Sequence, residues 1–275
     1  MTDTEGDRNG DRQYHIELRS GDIDGPVLLP GDPDRVGIVA EFLDDTEELA
    51  EHREYRTVAG ECADEPVAVT STGIGSPSAA IAVEELARIG VETFIRVGSC
   101  GAIQEHVGIG ELVITTGAVR QEGTSDEYVR PDYPATAHDE VVTALVTAAE
   151  RLGHEYHLGV TCSTDSFYAG QSRPGFDGFR AAGAEDRIGA LREAGVLNFE
   201  MEASAILTLA GLYGLRAGAV CTVYANRVTG EFRTEGQRKA AETASLAAAL
   251  LTKMDRIKND ADVDRWHAGL SLDDR

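Results

Sequence analysis

Apolar positions between Thr70 and Ile103 (TSTGIGSPSAAIAVEELARIGVETFIRVGSCGAI) change period twice, which predicts strand, helix and strand in that order. Ser76-Pro77 marks the helix start, because a proline at the first helical position lacks only an N–H that would find no partner there. Ala80, Ile81, Val83, Leu86 and Ile89 then share one face. Phe94-Ile95-Arg96-Val97 follows as an apolar strand with one arginine near its end, running into Gly98-Ser99-Cys100-Gly101.

The same reading extends along the chain. Pro26 to Pro30 predicts a short buried strand, followed by a Gly31-Asp32-Pro33 turn and a helix from Val36 to Phe42 with Asp32 as N-cap. Glu54–Val58 and Val67–Thr70 alternate as two strands of a hairpin, and Glu111–Thr116, His157–Asp165, Gly195–Phe199 and Gly218–Tyr224 predict further strands. Helices are expected over Asp139–Leu152, Glu185–Ala194, Met201–Tyr213 and Thr234 to about Lys258. Gln121–Ala137 and Ser166–Gly183 lack periodicity, and long irregular loops in compact domains are more often functional than idle. Neither a repeat nor a linker interrupts the pattern. One domain over 13–258 is therefore expected, with a charged, disordered lead-in over 1–12 and a loose acidic tail over 259–275.

Composition narrows the function classes. A net charge of −23 disfavours a nucleic-acid partner, since phosphate backbones require clustered Lys and Arg. Lys239, Lys253 and Lys258 are the only lysines. An acid-rich, lysine-poor chain suits a salt-rich cytosol that screens repulsion, and it also suits an ordinary acidic protein. Cys62, Cys100, Cys162 and Cys221 form no CxxC pair, so neither zinc nor a disulfide framework is expected. No apolar stretch is long enough to span a bilayer and no leader pattern opens the chain, which predicts a cytoplasmic protein without a membrane partner.

Arg96 is the first candidate for chemistry. A strand buried on both faces tolerates a charge mainly at its carboxyl end, where open α/β sheets bind ligands. Gly98 and Gly101 let backbone N–H groups approach an anion. With the Ser99 hydroxyl, Arg96 forms half of a phosphate site, or else it is a surface arginine in a tight turn; the segment alone leaves both open. Gly73-Ile74-Gly75 invites a dinucleotide-binding reading, but Ser78 stands where the third glycine of that fingerprint belongs.

Six segments taken together carry a resemblance: LLPGDPDRV, EHREYRT, STGIGSPSAAIAVEEL, FIRVGSCGAI, STDSFYAGQSRPG and NFEMEAS, in this order between His15 and Lys258. In these the chain resembles the hexameric purine and uridine nucleoside phosphorylase family. The resemblance implies a single α/β domain with a twisted mixed central sheet flanked by helices. It implies a homohexamer, a trimer of dimers, with active sites shared between subunits. The implied reaction is reversible phosphorolysis of uridine or deoxyuridine, with inorganic phosphate as co-substrate and no cofactor. Phosphate falls to Gly31, Arg35, Arg96 and Ser99, with Arg53 arriving across a subunit interface. Planar guanidiniums match the oxygens of a dianion bidentately. Ribose falls to Glu202, whose carboxylate can accept two hydroxyls, to Met201, and to His15 of a neighbouring subunit.

On the base side the resemblance implies Phe167 stacking on the ring, with Gln171 and Arg173 on the uracil edge and Arg227 as a further stabiliser. The aspartic acid that protonates a purine ring in related enzymes is missing, since Ala225 and Asn226 occupy that strand end. Tyr224 and Ala225 stand where small branched residues are usual, and Ala169 replaces a proline. These departures keep guanosine or inosine as an alternative substrate. A hydrolytic nucleosidase or a non-catalytic nucleotide-binding protein are the remaining alternatives. The resemblance also implies a monovalent cation, such as K+, at a subunit interface near Glu54, Ile74 and Ser78.

Overall fold

Val27 and Leu29 face one side of the first strand, β1 (Val27–Pro30), and Leu28 faces the other. This period-two alternation divides the core into two layers. The computed structural model describes residues 12–267 and 269–271. The expected lead-in therefore lies outside the described residues except for Arg12, and so does the end of the expected tail.

Beside β1 lie the parallel strands β4 (Glu65–Thr70) and β5 (Thr93–Ala102). Strands β2 (Asp44–His52) and β3 (Tyr55–Cys62) continue the sheet antiparallel beyond β4. On the other side, β5 meets β9 (Asn198–Glu200), then β8 (Tyr156–Thr164), β6 (Leu112–Gln121) and β10 (Arg216–Asn226). Because β10 also pairs in parallel with β5, these five strands close into a ring, while β1, β4, β3 and β2 extend from it as an open wing. A two-residue strand, β7 (Ala135–Thr136), adds to β6. The sheet is mixed and twisted within a single α/β unit, as expected.

One face is covered by α1 (Asp34–Ala40), α3 (Asp139–Leu152) and α6 (Gln237–Asp260), which bury Leu28, Ile95 and Val97. The other face takes α2 (Ser76–Arg88) and α5 (Ala203–Tyr213), over Val27, Leu29 and Phe94. The remaining helix, α4 (Ala184–Glu193), precedes β9. Helix α3 can lie close on β10 because Gly218 has no side chain there: a Cβ would meet Val141 Cγ1 at 2.5 Å.

Several elements differ from expectation. The sequence pattern missed β2, whose residues DDTEELAEH are mostly exposed, with only Ala50 buried. The second central strand runs through Gly98-Ser99-Cys100-Gly101, where it was expected to end, to Ala102, because Gly98 to Ala102 pair with β10 and the last two residues also with β9. Helix α5 begins at Ala203 rather than Met201. Past Asn259 the chain is not loose throughout, since Trp266 packs on the core and its N–H donates to Glu140 Oε1 at 3.0 Å. Strands β1, β5 and β10 run parallel, so their carboxyl ends open on the same edge. Ligands of α/β sheets bind at such an edge.

Candidate active site

A cavity of about 410 Å³ opens at that edge. At one end Gly31 follows β1, so close to the next loop that a Cβ would lie 3.2 Å from the Gly73 carbonyl oxygen. Asp32 Oδ1 accepts from the Asp34 N–H at 3.0 Å and shapes the first turn of α1, which carries Arg35 into the cavity. Arg35 Nη2 donates to Ser99 Oγ at 3.2 Å, while its buried Nε has no hydrogen-bond partner among the described residues.

Arg96 is 4% exposed, which rules out the surface-turn reading. Its Nε donates to Glu200 Oε2 at 2.7 Å, its Nη2 pairs with Glu202, and its Nη1 is buried without a partner among the described residues. Burial disfavours a charged guanidinium, but Glu202 and Glu200 outweigh that and raise its pKa. Two cationic N–H groups from different elements, Arg35 Nε and Arg96 Nη1, are thus buried at the cavity without internal acceptors. Buried donors are rarely left so, and an anionic oxygen is their natural complement.

Glu200 is a site residue that the sequence reading leaves without a role. Its carboxylate accepts from Arg96, from Ser163 Oγ, and from the N–H groups of Glu202 and Ala203, both at 2.8 Å. It therefore fixes the arginine and caps α5 at once. A signal was present: an acid at the end of an apolar strand, the same anomaly that drew attention to Arg96.

Glu202 lies at the N-cap position of α5 and Met201 just before it, both lining the cavity. Gly73 and Gly75 take φ of +74° and +96°, a turn that brings the Gly75 N–H to 2.6 Å from Glu202 Oε1. Burial raises the Glu202 pKa, opposed by Arg96 and reinforced by the charge of Glu200.

At the far end Ser172, with φ of +56°, bends the loop so that Gln171 and Arg173 both line the cavity beside Phe167. The Arg173 guanidinium lies 4.2 Å from the centre of the Phe167 ring. Arg227 Nη1 donates to the Gln171 carbonyl at 2.8 Å, and both arginines converge over Gly101, where a Cβ would lie 3.6 Å from Arg173 Nη2 and 3.8 Å from Arg227 Cγ. Burial lowers the pKa of each, and the charge of Arg173 lowers that of Arg227 further. Asn226 serves the backbone: its amide donates to the carbonyls of Gln104 and Val107, and its oxygen accepts from Val228 and Thr229.

Two expected residues stand outside this cavity. Arg53, at φ of +57° on the tip of the β2–β3 hairpin, lies 5.5 Å from the exposed Tyr14 ring. His15 lines a separate groove beside α2, where its Nδ1 meets Glu85 Oε1 at 2.6 Å and its N–H donates to the same carboxylate. Glu54, Ile74 and Ser78 do come together. A Cβ on Gly73 would touch Glu54 Cγ at 2.8 Å and Ser78 Oγ at 2.9 Å, and Ser78 Oγ lies 3.4 Å from the Ile74 carbonyl oxygen.

Residues 27–254 match the family model described as the phosphorylase superfamily. A uridine phosphorylase of Thermococcus kodakarensis is 55% identical over 258 residues, covering 94% of this chain and 93% of the relative. The uridine phosphorylase of Escherichia coli is 43% identical over 235 residues, covering 84% and 92%. A guanosine phosphorylase of Halorubrum lacusprofundi is 42% identical over 219 residues, covering 80% and 86%. With a match spanning both layers of the sheet and every wall of the cavity, this chain belongs to the phosphorylase superfamily.

Proposed function

We propose that the chain is a pentosyltransferase catalysing reversible phosphorolysis of uridine to uracil and ribose 1-phosphate. The observation that carries this reading is the polarity of the cavity: buried anion donors on Arg35 and Arg96 at one end with the Glu202 carboxylate, and at the other Arg173, backed by Arg227 behind Gln171 and Gly101. Phosphate held at the first end lies beneath C1′ of a ribose whose 2′ and 3′ hydroxyls donate to Glu202. As a phosphate oxygen bonds to C1′, the bond from C1′ to the uracil nitrogen breaks and its electron pair moves onto the base. Arg173 and Arg227 stabilise the negative charge that develops there, and Gln171 orients the ring. Electrostatic stabilisation of this kind, with positioning, supplies the rate enhancement without a covalent enzyme intermediate.

Arg53 and His15 lie outside the cavity of their own chain, which supports a shared-site homohexamer in which a neighbour supplies both. The corner formed by Glu54, Ile74 and Ser78 then takes K+ where two subunits meet. Together with the −23 charge and three lysines, this supports work in a salt-rich cytoplasm.

The test is uracil release from uridine and deoxyuridine, with and without phosphate, in high potassium chloride. Release that requires phosphate is expected. Release without phosphate would make the enzyme a nucleosidase. A second reading, guanosine or inosine phosphorolysis, is favoured by Tyr224 and Ala225 on the cavity wall. Faster turnover of guanosine than of uridine in the same assay would select it.

A further inference from the structure

Strand β10 slips by one residue before it ends. It pairs with β5 in register up to Val223 opposite Cys100, then resumes with Ala225 opposite Gly101, so Tyr224 is the extra residue of a β-bulge. A bulge breaks the alternation of side chains and re-aims the residue it inserts. Val223 and Ala225 are both buried, and Tyr224 between them lines the cavity.

Two contacts define what Tyr224 does there. Its hydroxyl donates to Gln237 Oε1 at 2.8 Å, at the first residue of α6, which fixes the ring. Its face lies 5.6 Å from the guanidinium carbon of Arg35. Arg35 is held on another side by Ser99 Oγ, and no carboxylate pairs with it among the described residues.

The contrast with Arg96 is instructive. Arg96 is fixed by two carboxylates, which offset its charge as they hold it. An arginine that must offer its full charge to a dianion needs another support. An aromatic face provides one, since it sets the plane of the guanidinium while leaving the charge available.

We propose that Tyr224 is a positioning residue for phosphate: the bulge presents its ring, Gln237 locks the ring, and the ring orients Arg35 towards the bound oxyanion. The proposal rests on the phosphate role of Arg35 given above and assigns to a residue of the base-side strand an effect on the other substrate.

The experiment compares Tyr224→Leu, Tyr224→Phe, Arg35→Lys and the double variant Arg35→Lys/Tyr224→Leu. Steady-state KM is measured separately for phosphate and nucleoside. The rise in unfolding temperature produced by inorganic phosphate alone gives a second readout. Tyr224→Leu is expected to raise the phosphate KM about 2- to 30-fold, the range of a cation–π contact, and to weaken protection by phosphate while the nucleoside KM holds. Tyr224→Phe keeps the ring but loses its bond to Gln237, so it should raise the phosphate KM by less than Tyr224→Leu does and by about as much as Gln237→Ala does. Arg35→Lys loses stacking by itself, so adding Tyr224→Leu to it costs little more, a non-additivity that a purely structural role would not produce.

A Tyr224→Leu variant with altered nucleoside KM and unchanged phosphate KM and protection would overturn the proposal and make Tyr224 a base-wall residue. Additive effects in the double variant would overturn it too, and so would equal loss from Leu and Phe. If Tyr224→Leu fails to fold, Gln237→Ala, which unlocks the ring from outside the cavity, must raise the phosphate KM for the idea to stand. A wild-type chain that phosphate protects but that does not cleave uridine would sink the uridine reading and leave this one intact. A wild-type chain that phosphate does not protect would sink it.

Discussion

Arg96 Nε lies 2.7 Å from Glu200 Oε2, and through that carboxylate the phosphate end of the cavity is joined to the start of helix α5. The pair is almost fully buried, so removing one partner leaves the charge of the other largely uncompensated. Glu200→Ala should therefore destabilise the fold by about 3–5 kcal/mol. It should also lower kcat/KM by about 100-fold, as expected when a substrate-positioning group shifts by an ångström. Urea unfolding and steady-state kinetics check the two effects, and near-wild-type values in both would remove Glu200 from this role.

In the ribose-binding role proposed above Glu202 must be ionised, yet burial and Glu200 lift its pKa. Nucleoside kcat/KM should fall on the acid side with a midpoint above about 4.3, the ordinary glutamate value. Stability runs the other way. A carboxyl whose folded pKa is raised stabilises the fold when protonated, and that contribution is lost as pH rises through the shifted pKa. Glu202→Gln should remove this pH dependence of stability along with most activity, as a pH series of melting curves and rates would show. An unchanged acid limb in the variant would assign it to another group.

Sites that borrow residues can be complemented. On the shared-site assembly proposed above, Arg53→Ala and Glu202→Ala should each be nearly inactive when pure, yet assemblies mixed from the two should regain activity, because some cavities would combine an intact Arg53 from one chain with an intact Glu202 from another. Co-expression with two affinity tags, followed by assay of the doubly tagged fraction, measures this. Activity no higher than that of the parents would place Arg53 outside the site.

Acid should loosen the molecule at the junction of α3, α6 and β10. Burial alone would raise the pKa of Glu140, but hydrogen bonds from Lys258, Trp266 and Arg216 hold it below the usual range; Asp255 is lowered likewise, chiefly by Arg216. A depressed carboxylate contributes stability above its unfolded pKa, and this is lost as pH falls through the folded value. Unfolding temperature should thus decline below about pH 4, the ordinary carboxylate range. Glu140→Gln should flatten that decline and lower stability at neutral pH. Decline of equal steepness in the variant would exclude the cluster.

Much of this was legible in the residues. Arg96 stood out because a charge inside an apolar strand is anomalous, and Gln171 and Arg173 because they share a long aperiodic loop. Glu200 was equally anomalous, but it is the last residue of β9 and two from Glu202, where an acid is ordinary at a helix start. Strand β2 escaped because its exposed edge and two register breaks leave no alternation to read. The bulge at Tyr224 was invisible for a related reason: it is a property of how β10 pairs with β5, not of β10 itself. The place expected for Arg53 and His15, across a subunit interface, came from the resemblance and not from the residues around them, because it depends on where a second chain sits.

Arg96 already has two carboxylates at its side before any ligand arrives. On the reading proposed above, an incoming oxyanion meets at Arg96 a guanidinium whose attraction is largely offset, so this arginine grips it gently while Arg35 supplies the fuller charge. A gentle grip keeps the co-substrate exchanging with solution, so the enzyme does not become trapped with its anion bound. Whether it builds nucleosides or dismantles them is then left to the relative supply of phosphate and sugar phosphate around it.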